Sequence, residues 1–113
     1  MADSTTDSTT DSTTGTQCFV YKLIPPRPTF ALDMSDEERA VMGAHGAYWR
    51  GLLDARTAVV FGPVLDPAGV WGLAVVEART ADEVRALGAA DPAVTSGVAS
   101  FEVHPMMGAS VRA

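Results

Sequence analysis

Residues 42–49, MGAHGAYW, place a histidine beside two large aromatic side chains. An imidazole can accept or return a proton near neutral pH, so His45 is a candidate general base or acid. Tyr48 and Trp49 are candidates for lining a pocket for a flat ring, or for donating a hydrogen bond to an oxyanion. The alternative is that all three are packed in the core, with His45 bonded to a backbone carbonyl.

Three residues in predicted loops and turns are further binding candidates. Arg27, within a proline-rich segment, has the charge to bind a substrate carboxylate, although a solvated loop charge is the simpler interpretation. Gly62 and Pro63 form a turn that would bring backbone amides close to a ligand, although turn geometry alone explains them.

Asp91 and His104 have simpler structural interpretations. Asp91 precedes a proline, which is typical of a helix N-cap followed by Pro at the first helical position. His104 lies at the end of the last predicted strand, and its spacing from His45 does not indicate a metal site. The sequence has no glycine-rich phosphate loop and no serine nucleophile motif, so we predict neither a cofactor nor a metal.

A helix must position His45. Ser35 and Glu38 form a capping-box pattern, which predicts a helix that begins after Ser35 and continues to about Asp54. His45 then lies on an apolar stripe of this helix, together with Val41, Tyr48 and Leu52.

The remaining elements follow from alternation, proline and capping signals. Strands are predicted at 17–24, 57–62, 70–78 and 98–105, an extended loop at 25–34, a capping box at Thr80–Glu83 with a helix to about 88, and one helical turn at 92–96. The order β-α-β-β-α-β predicts an α+β, ferredoxin-like fold with both helices on one face of the sheet. The other face is apolar enough to need cover, and we expect a second copy to form a homodimer there.

Composition limits the partners. The chain has 113 residues and a net charge of −6. Residues 1–16 repeat Asp-Ser-Thr-Thr and are predicted to be a disordered tail, whereas 17–107 form the domain and 108–113 a frayed terminus. Without a basic stripe or a long apolar run, neither nucleic acid nor a membrane is an expected partner. The single cysteine, Cys18, and the lack of a secretory signal favour a cytoplasmic location.

The ordered segments YKLIPPRPTFALDMSDEE, HGAYWRGLL, VVFGPVLDPAGVWGLAVVE, AADPAVTSG and FEVHP resemble the YciI-like (YCII-related domain) family over nearly all of 17–107. The resemblance implies a dimeric α+β barrel and a pocket with a His–Asp pair, which falls on His45 and Asp91. One branch of the family resembles chloromuconolactone dehalogenases, and muconolactone isomerases use a similar fold. The family usually has a glycine before the second strand, where this chain has 54–57, DART.

Two functional hypotheses follow. In the first, a cofactor-independent enzyme uses His45, oriented by Asp91, to move a proton on a small carbonyl or lactone substrate in an elimination or isomerisation. In the second, the dimer is a non-catalytic module that binds a small molecule or has a regulatory role. A third and weaker possibility is a dimerisation scaffold.

Overall fold

The computed structural model describes residues 16–113 and contains four strands and four helices in that range. They are β1 (Gln17–Ile24), α1 (Phe30–Asp33), α2 (Asp36–Asp54), β2 (Ala58–Val64), β3 (Trp71–Ala78), α3 (Ala81–Ala89), α4 (Pro92–Thr95) and β4 (Ser100–Pro105). Except for Thr16, the predicted disordered tail lies outside the described residues.

The four strands form one antiparallel sheet in the order β2-β3-β1-β4. This order, with α2 between β1 and β2 and α3 between β3 and β4, is the ferredoxin-like arrangement. The predicted α+β class is therefore confirmed.

The core lies between the sheet and the helices. Phe19, Tyr21 and Leu23 of β1 are buried on the helix side of the sheet. Trp49 of α2 and Val84 of α3 pack against them. The apolar stripe predicted for α2 thus packs against the buried side chains of β1 in one hydrophobic cluster.

The opposite face of the sheet is only partly covered. Val20 of β1 pairs with Val75 of β3, and both are half-buried, while Val60 of β2 is 49% exposed. The expected second copy on this face stays a prediction.

Helix α2 begins as the sequence predicts. The Ser35 hydroxyl accepts a hydrogen bond from the Glu38 amide, and the Glu38 carboxylate accepts one from the Ser35 amide. At α3 only half of the predicted capping box forms. Thr80 caps the Glu83 amide, but the Glu83 carboxylate accepts from the Arg79 amide, one residue before the N-cap.

Two other local predictions are wrong. Gly62 and Pro63 do not form a turn, because both lie within β2 and pair with Leu73 and Gly72 of β3. Residues 25–34 are not extended throughout, because α1 forms a short helical turn whose Phe30 is buried.

The 54–57 turn, which lacks the family's glycine, places Arg56 at φ 66°, in the left-handed region. A side chain there is uncommon and strained, whereas glycine adopts this conformation without strain.

Candidate functional site

Asp91 is a fully buried carboxylate, with no exposed surface. The Tyr21 hydroxyl and the Trp49 indole N–H donate hydrogen bonds to its Oδ2, at 2.9 and 2.8 Å. The Ala93 amide donates to Oδ1 at 2.9 Å, and His45 Nδ1 lies 2.9 Å from both oxygens. We call Asp91 and these four partners the Asp91 cluster. Such a set of donors is what a buried charge requires.

Asp91 lies in the short segment between α3 and α4, and its side chain points into the core. Helix α3 ends at Ala89, and Asp91 is the N-cap of α4, with Pro92 at the first helical position, as the sequence predicts. Capping uses Oδ1 for the Ala93 amide, and the same carboxylate still receives the three side-chain donors. The cap and a contact with His45 therefore coexist.

His45 lies on α2 between the Asp91 cluster and a cavity. Because a carboxylate accepts, Nδ1 is the protonated nitrogen in this contact, and Nε2 of the neutral ring carries the lone pair. Within residues 16–113, Nε2 has no hydrogen-bond partner, and His45 lines the cavity with 15% of its side chain exposed. The arrangement can present a proton acceptor to a bound molecule.

The electrostatics of the cluster favour a charged Asp91 and a neutral Tyr21. Burial alone would raise the pKa of Asp91, but hydrogen bonds from His45, Trp49 and the Ala93 amide outweigh it and hold this pKa below its usual value. Burial, followed by the charge of Asp91 and the hydrogen bond to it, raises the pKa of Tyr21 far above its ordinary value.

The cavity has a volume of about 360 Å³ and lies between α1, α2 and the β2–β3–β1 part of the sheet. This size is within the range of small-molecule sites. Its lining is almost entirely apolar and aromatic: Tyr21, Leu23, Pro25, Phe30, Ala31, Met34, Met42, His45, Gly46, Trp49, Phe61, Gly62, Pro63, Val70, Trp71, Gly72, Leu73, Ala74 and Ala99.

The predicted site residues separate into two groups. His45, Trp49, Gly62 and Pro63 line the cavity, with Asp91 in contact with the first two. Tyr48 does not line it, because its hydroxyl donates to the Leu87 carbonyl oxygen at 2.7 Å and ties α2 to α3. Tyr48 thus follows the packing interpretation.

Arg27 also lies outside the cavity lining. Its guanidinium donates to Asp33 Oδ1 at 2.8 Å and to both oxygens of Glu38 at 2.8 and 2.9 Å. Its side chain is 36% exposed, and it stacks on Phe30 at 5.3 Å. The proposed role in binding a substrate carboxylate is therefore not supported, because internal carboxylates occupy Arg27, which instead joins α1 to α2.

Sequence reasoning missed two contributors. The sequence gives Tyr21 no predicted role, and Phe30 falls in the segment predicted to be an extended loop. A buried tyrosine hydroxyl needs a hydrogen-bond partner, and this is the signal that would have pointed from Tyr21 to a buried acceptor. No comparable signal marks Phe30.

The described residues contain no candidate metal site. No group of three or more His, Cys, Asp or Glu side chains in this part of the chain could hold a metal ion. His104 is exposed and contacts Glu102 at 3.0 Å. No helix within residues 16–113 is long and apolar enough to cross a membrane.

Residues 19–107 match the YCII-related domain, and the chain belongs to this family. Among solved structures, it is similar to the 5-chloro-2-hydroxyhydroquinone dehydrochlorinase (TftG) from Burkholderia phenoliruptrix AC1100, in complex with 2,5-dihydroxybenzoquinone. The TM-score is 0.61 at 19% identity, covering 80% of this chain and 93% of that chain. At this identity the likeness shows a shared fold. The comparison with curated proteins found no match.

Proposed function

We propose that this protein is a cofactor-independent enzyme in which His45 moves a proton on a small carbonyl or lactone substrate bound in the cavity. The observation that carries the proposal is the contact of His45 Nδ1 with both oxygens of Asp91, at 2.9 Å, while the ring also lines the cavity. A carboxylate that holds Nδ1–H fixes the tautomer in which Nε2 accepts a proton.

The proposed step begins with a proton on carbon next to a carbonyl. Nε2 takes the proton, and the electron pair of the C–H bond moves into the carbonyl system as an enolate. In an elimination, the pair then forms a carbon–carbon double bond as a leaving group departs with its own bonding electrons. In an isomerisation, the imidazolium returns the proton to a different carbon. Asp91 stabilises the imidazolium in both cases.

A solved structure of the same fold gives independent support for elimination. The similar structure from Burkholderia phenoliruptrix AC1100 is named a dehydrochlorinase, an enzyme that removes hydrogen chloride. Loss of HCl from a chlorinated lactone is the elimination described above, with chloride as the leaving group. A hydroxyhydroquinone has no carbonyl group in its aromatic form, so there Nε2 takes a hydroxyl proton and chloride leaves from the keto tautomer as the ring becomes a quinone. Chlorinated hydroxyhydroquinones and chlorinated lactones are therefore the first substrates to test.

The test is turnover by His45→Gln, with His104→Gln as the matched control, since His104 is the exposed histidine of β4. Chloride release and ultraviolet absorbance measure elimination, and absorbance alone measures isomerisation. We expect His45→Gln to lose about 100-fold or more in kcat, because a general base contributes about 10²–10⁴-fold. We expect His104→Gln to behave as the wild type. Equal turnover by wild type and His45→Gln would refute the proposal.

The second candidate function is a non-catalytic small-molecule-binding module. One observation favours it: the Tyr21 hydroxyl and the Trp49 indole N–H both donate to Asp91. Neither group is therefore free to stabilise negative charge on a substrate. Ligand binding that shifts the NMR signals of His45, without turnover of any substrate tested, would select this function.

We also propose that the protein acts as a homodimer through the partly covered face of the sheet. The half-buried Val20 and Val75 and the exposed Val60 support this. Light scattering at micromolar concentration should give twice the mass of the chain. A monomer at that concentration would contradict the proposal.

A further inference from the structure

The described lining of the cavity contains no arginine, lysine, aspartate or glutamate. His45 is the one basic side chain of that lining. Its ring contacts the buried carboxylate of Asp91, so a protonated His45 pairs with a negative charge already in place. The cavity therefore offers no uncompensated positive charge to a substrate carboxylate.

Three cations lie close to the cavity, but each is stacked on an aromatic ring of its lining. Arg27 lies 5.3 Å from the centre of the Phe30 ring, Arg50 5.8 Å from that of Phe61, and Lys22 4.8 Å from that of Trp71. None of the three lines the cavity.

The first of these cations, Arg27, is also held by Asp33 and Glu38. Arg50 is the one to test as an anion partner, because it is exposed and lies near a lining ring.

Three side-chain hydrogen-bond donors of the lining already bond to carboxylates of the protein. The Tyr21 hydroxyl and the Trp49 indole N–H serve Asp91, and the Trp71 indole N–H donates to Asp66 at 3.1 Å. An enolate formed in the cavity would receive no hydrogen bond from these side chains. Negative charge that develops on the substrate must therefore be spread over the substrate itself.

We infer that the cavity selects an uncharged, conjugated ring compound that bears no carboxylate, and whose own carbonyl or hydroxyl groups delocalise the charge left after proton removal. This inference rests on the proposed function for the reacting proton, but its selectivity against carboxylates concerns binding alone. An unpaired carboxylate taken into an apolar cavity loses its hydration without gaining a partner. The class excludes lactones that carry a free carboxylate, and includes hydroxyhydroquinones and esterified lactones.

Two matched pairs of probes test this selectivity without turnover. They are methyl 4-hydroxybenzoate against 4-hydroxybenzoate, and the methyl ester of muconolactone against muconolactone. Binding is followed by NMR of methionine methyl groups, because Met34 and Met42 line the cavity while Met106 and Met107 lie outside it. We expect the esters to bind at least about tenfold more tightly and to shift the signals of Met34 and Met42 only.

Three variants sharpen the test. Met34→Lys puts a cation into the lining and should raise carboxylate affinity at least about tenfold, whereas Leu32→Lys, in the same segment but 90% exposed, should not. Arg50→Gln should leave the preference unchanged. Carboxylates that bind as tightly as their esters, carboxylate binding that is lost in Arg50→Gln, or esters that shift neither Met34 nor Met42 at millimolar concentration would each overturn the inference.

The two proposals fail separately. If His45→Gln retains full turnover while the esters are still preferred, the proposed function fails and the selectivity stands. If a carboxylate substrate is turned over and His45→Gln abolishes that turnover, the selectivity is overturned and the proposed function stands.

Discussion

Asp91 and Arg27 are both charged residues with several hydrogen-bond partners, but their surroundings differ completely. Asp91 is fully buried, and its side-chain partners lie 42, 46 and 70 residues away in the sequence. Arg27 is 36% exposed, and its partners lie within 11 residues. Asp91 connects elements that are distant in the sequence, whereas Arg27 stabilises a local loop beside the cavity.

The difference shows that the number of hydrogen bonds does not measure their energetic importance. At Arg27, water can replace each partner, so the loss of a bond costs little. At Asp91, water has no access, and every donor left without its acceptor keeps the full cost of desolvation. Stability should therefore respond to Asp91, and local order of the loop to Arg27.

The largest expected effect is that of Asp91→Ala. It leaves three side-chain donors and the Ala93 amide without an acceptor, and we expect a loss of about 3–5 kcal/mol in the free energy of unfolding. Urea unfolding followed by circular dichroism measures it. Asp33→Ala, which removes a carboxylate from Arg27, is the matched control and should leave the urea midpoint nearly unchanged. Similar midpoints for the two variants would show that the hydrogen bonds of Asp91 contribute no more to stability than those of Arg27.

The next effect is that of Tyr21→Phe, which removes one donor from the carboxylate. Hydrogen bonds to charged groups contribute about 1.5–3 kcal/mol, and we expect a loss of that order. Tyr48→Phe is the control, because the Tyr48 hydroxyl donates to an uncharged carbonyl and should cost about 0.5–1.5 kcal/mol. Equal losses would contradict a special role for Asp91.

Tyr21 also predicts an alkaline dependence of stability. Its pKa is raised in the folded state by burial and by Asp91, so folding favours the neutral phenol. This contribution is complete below pH about 10, where the unfolded phenol is still protonated, and is lost as pH rises toward the folded value. Tyr21→Phe should weaken the alkaline loss of stability, measured as urea midpoints between pH 8 and 11. An unchanged alkaline slope would count against this assignment.

Gly88 of α3 gives a smaller test, because it bounds the space that Tyr21 occupies. A Cβ placed there would lie 2.7 Å from Tyr21 Cε1 and 2.6 Å from Phe101 Cε2. Gly88→Ala should therefore cost about 1–3 kcal/mol through overpacking. Gly43→Ala, on α2 with open space around it, should instead stabilise by up to about 1 kcal/mol. Calorimetric melting would show opposite shifts, and a stabilised Gly88→Ala would disprove the close contact.

The smallest global effect is expected at Arg27. Arg27→Gln should leave the urea midpoint within error, but should speed hydrogen exchange at the Phe30 amide, which donates to the Arg27 carbonyl oxygen. Hydrogen bonds from Arg27 hold the pKa of Glu38 at about 2. Arg27→Gln should raise this pKa toward 4.5, as measured by carboxyl NMR. An unchanged titration of Glu38 would show that the ion pair does not persist in solution.

The sequence predicted most of the fold because its signals are local. Alternation in β1, the Ser35–Glu38 capping box and the Asp91–Pro92 cap each fix an element through neighbouring residues. Helix α1 was not predicted because the three prolines at 25, 26 and 28 precede it and are typical of an extended loop. Its one buried side chain, Phe30, is held by contacts that no local pattern contains.

The site was less predictable, since its contacts join residues far apart in the chain. Helix periodicity placed His45 on the inward stripe, but only the family resemblance paired it with Asp91. The buried Tyr21 hydroxyl and Trp49 indole each require an acceptor, but no local pattern shows that they share one 70 and 42 residues later. Arg27 is a binding candidate because its charge is visible in the sequence, while its ion pairs with Asp33 and Glu38 are not.

The separations of 42, 46 and 70 residues between Asp91 and its partners also concern the order of folding. Closing loops of this length costs entropy that is recovered only after β1, α2 and α4 have docked. We therefore expect the cavity to be completed late in folding, after the helices and the β2–β3 hairpin have formed. Ligand binding during refolding should then appear with the final kinetic phase, and would report that the tertiary structure is complete.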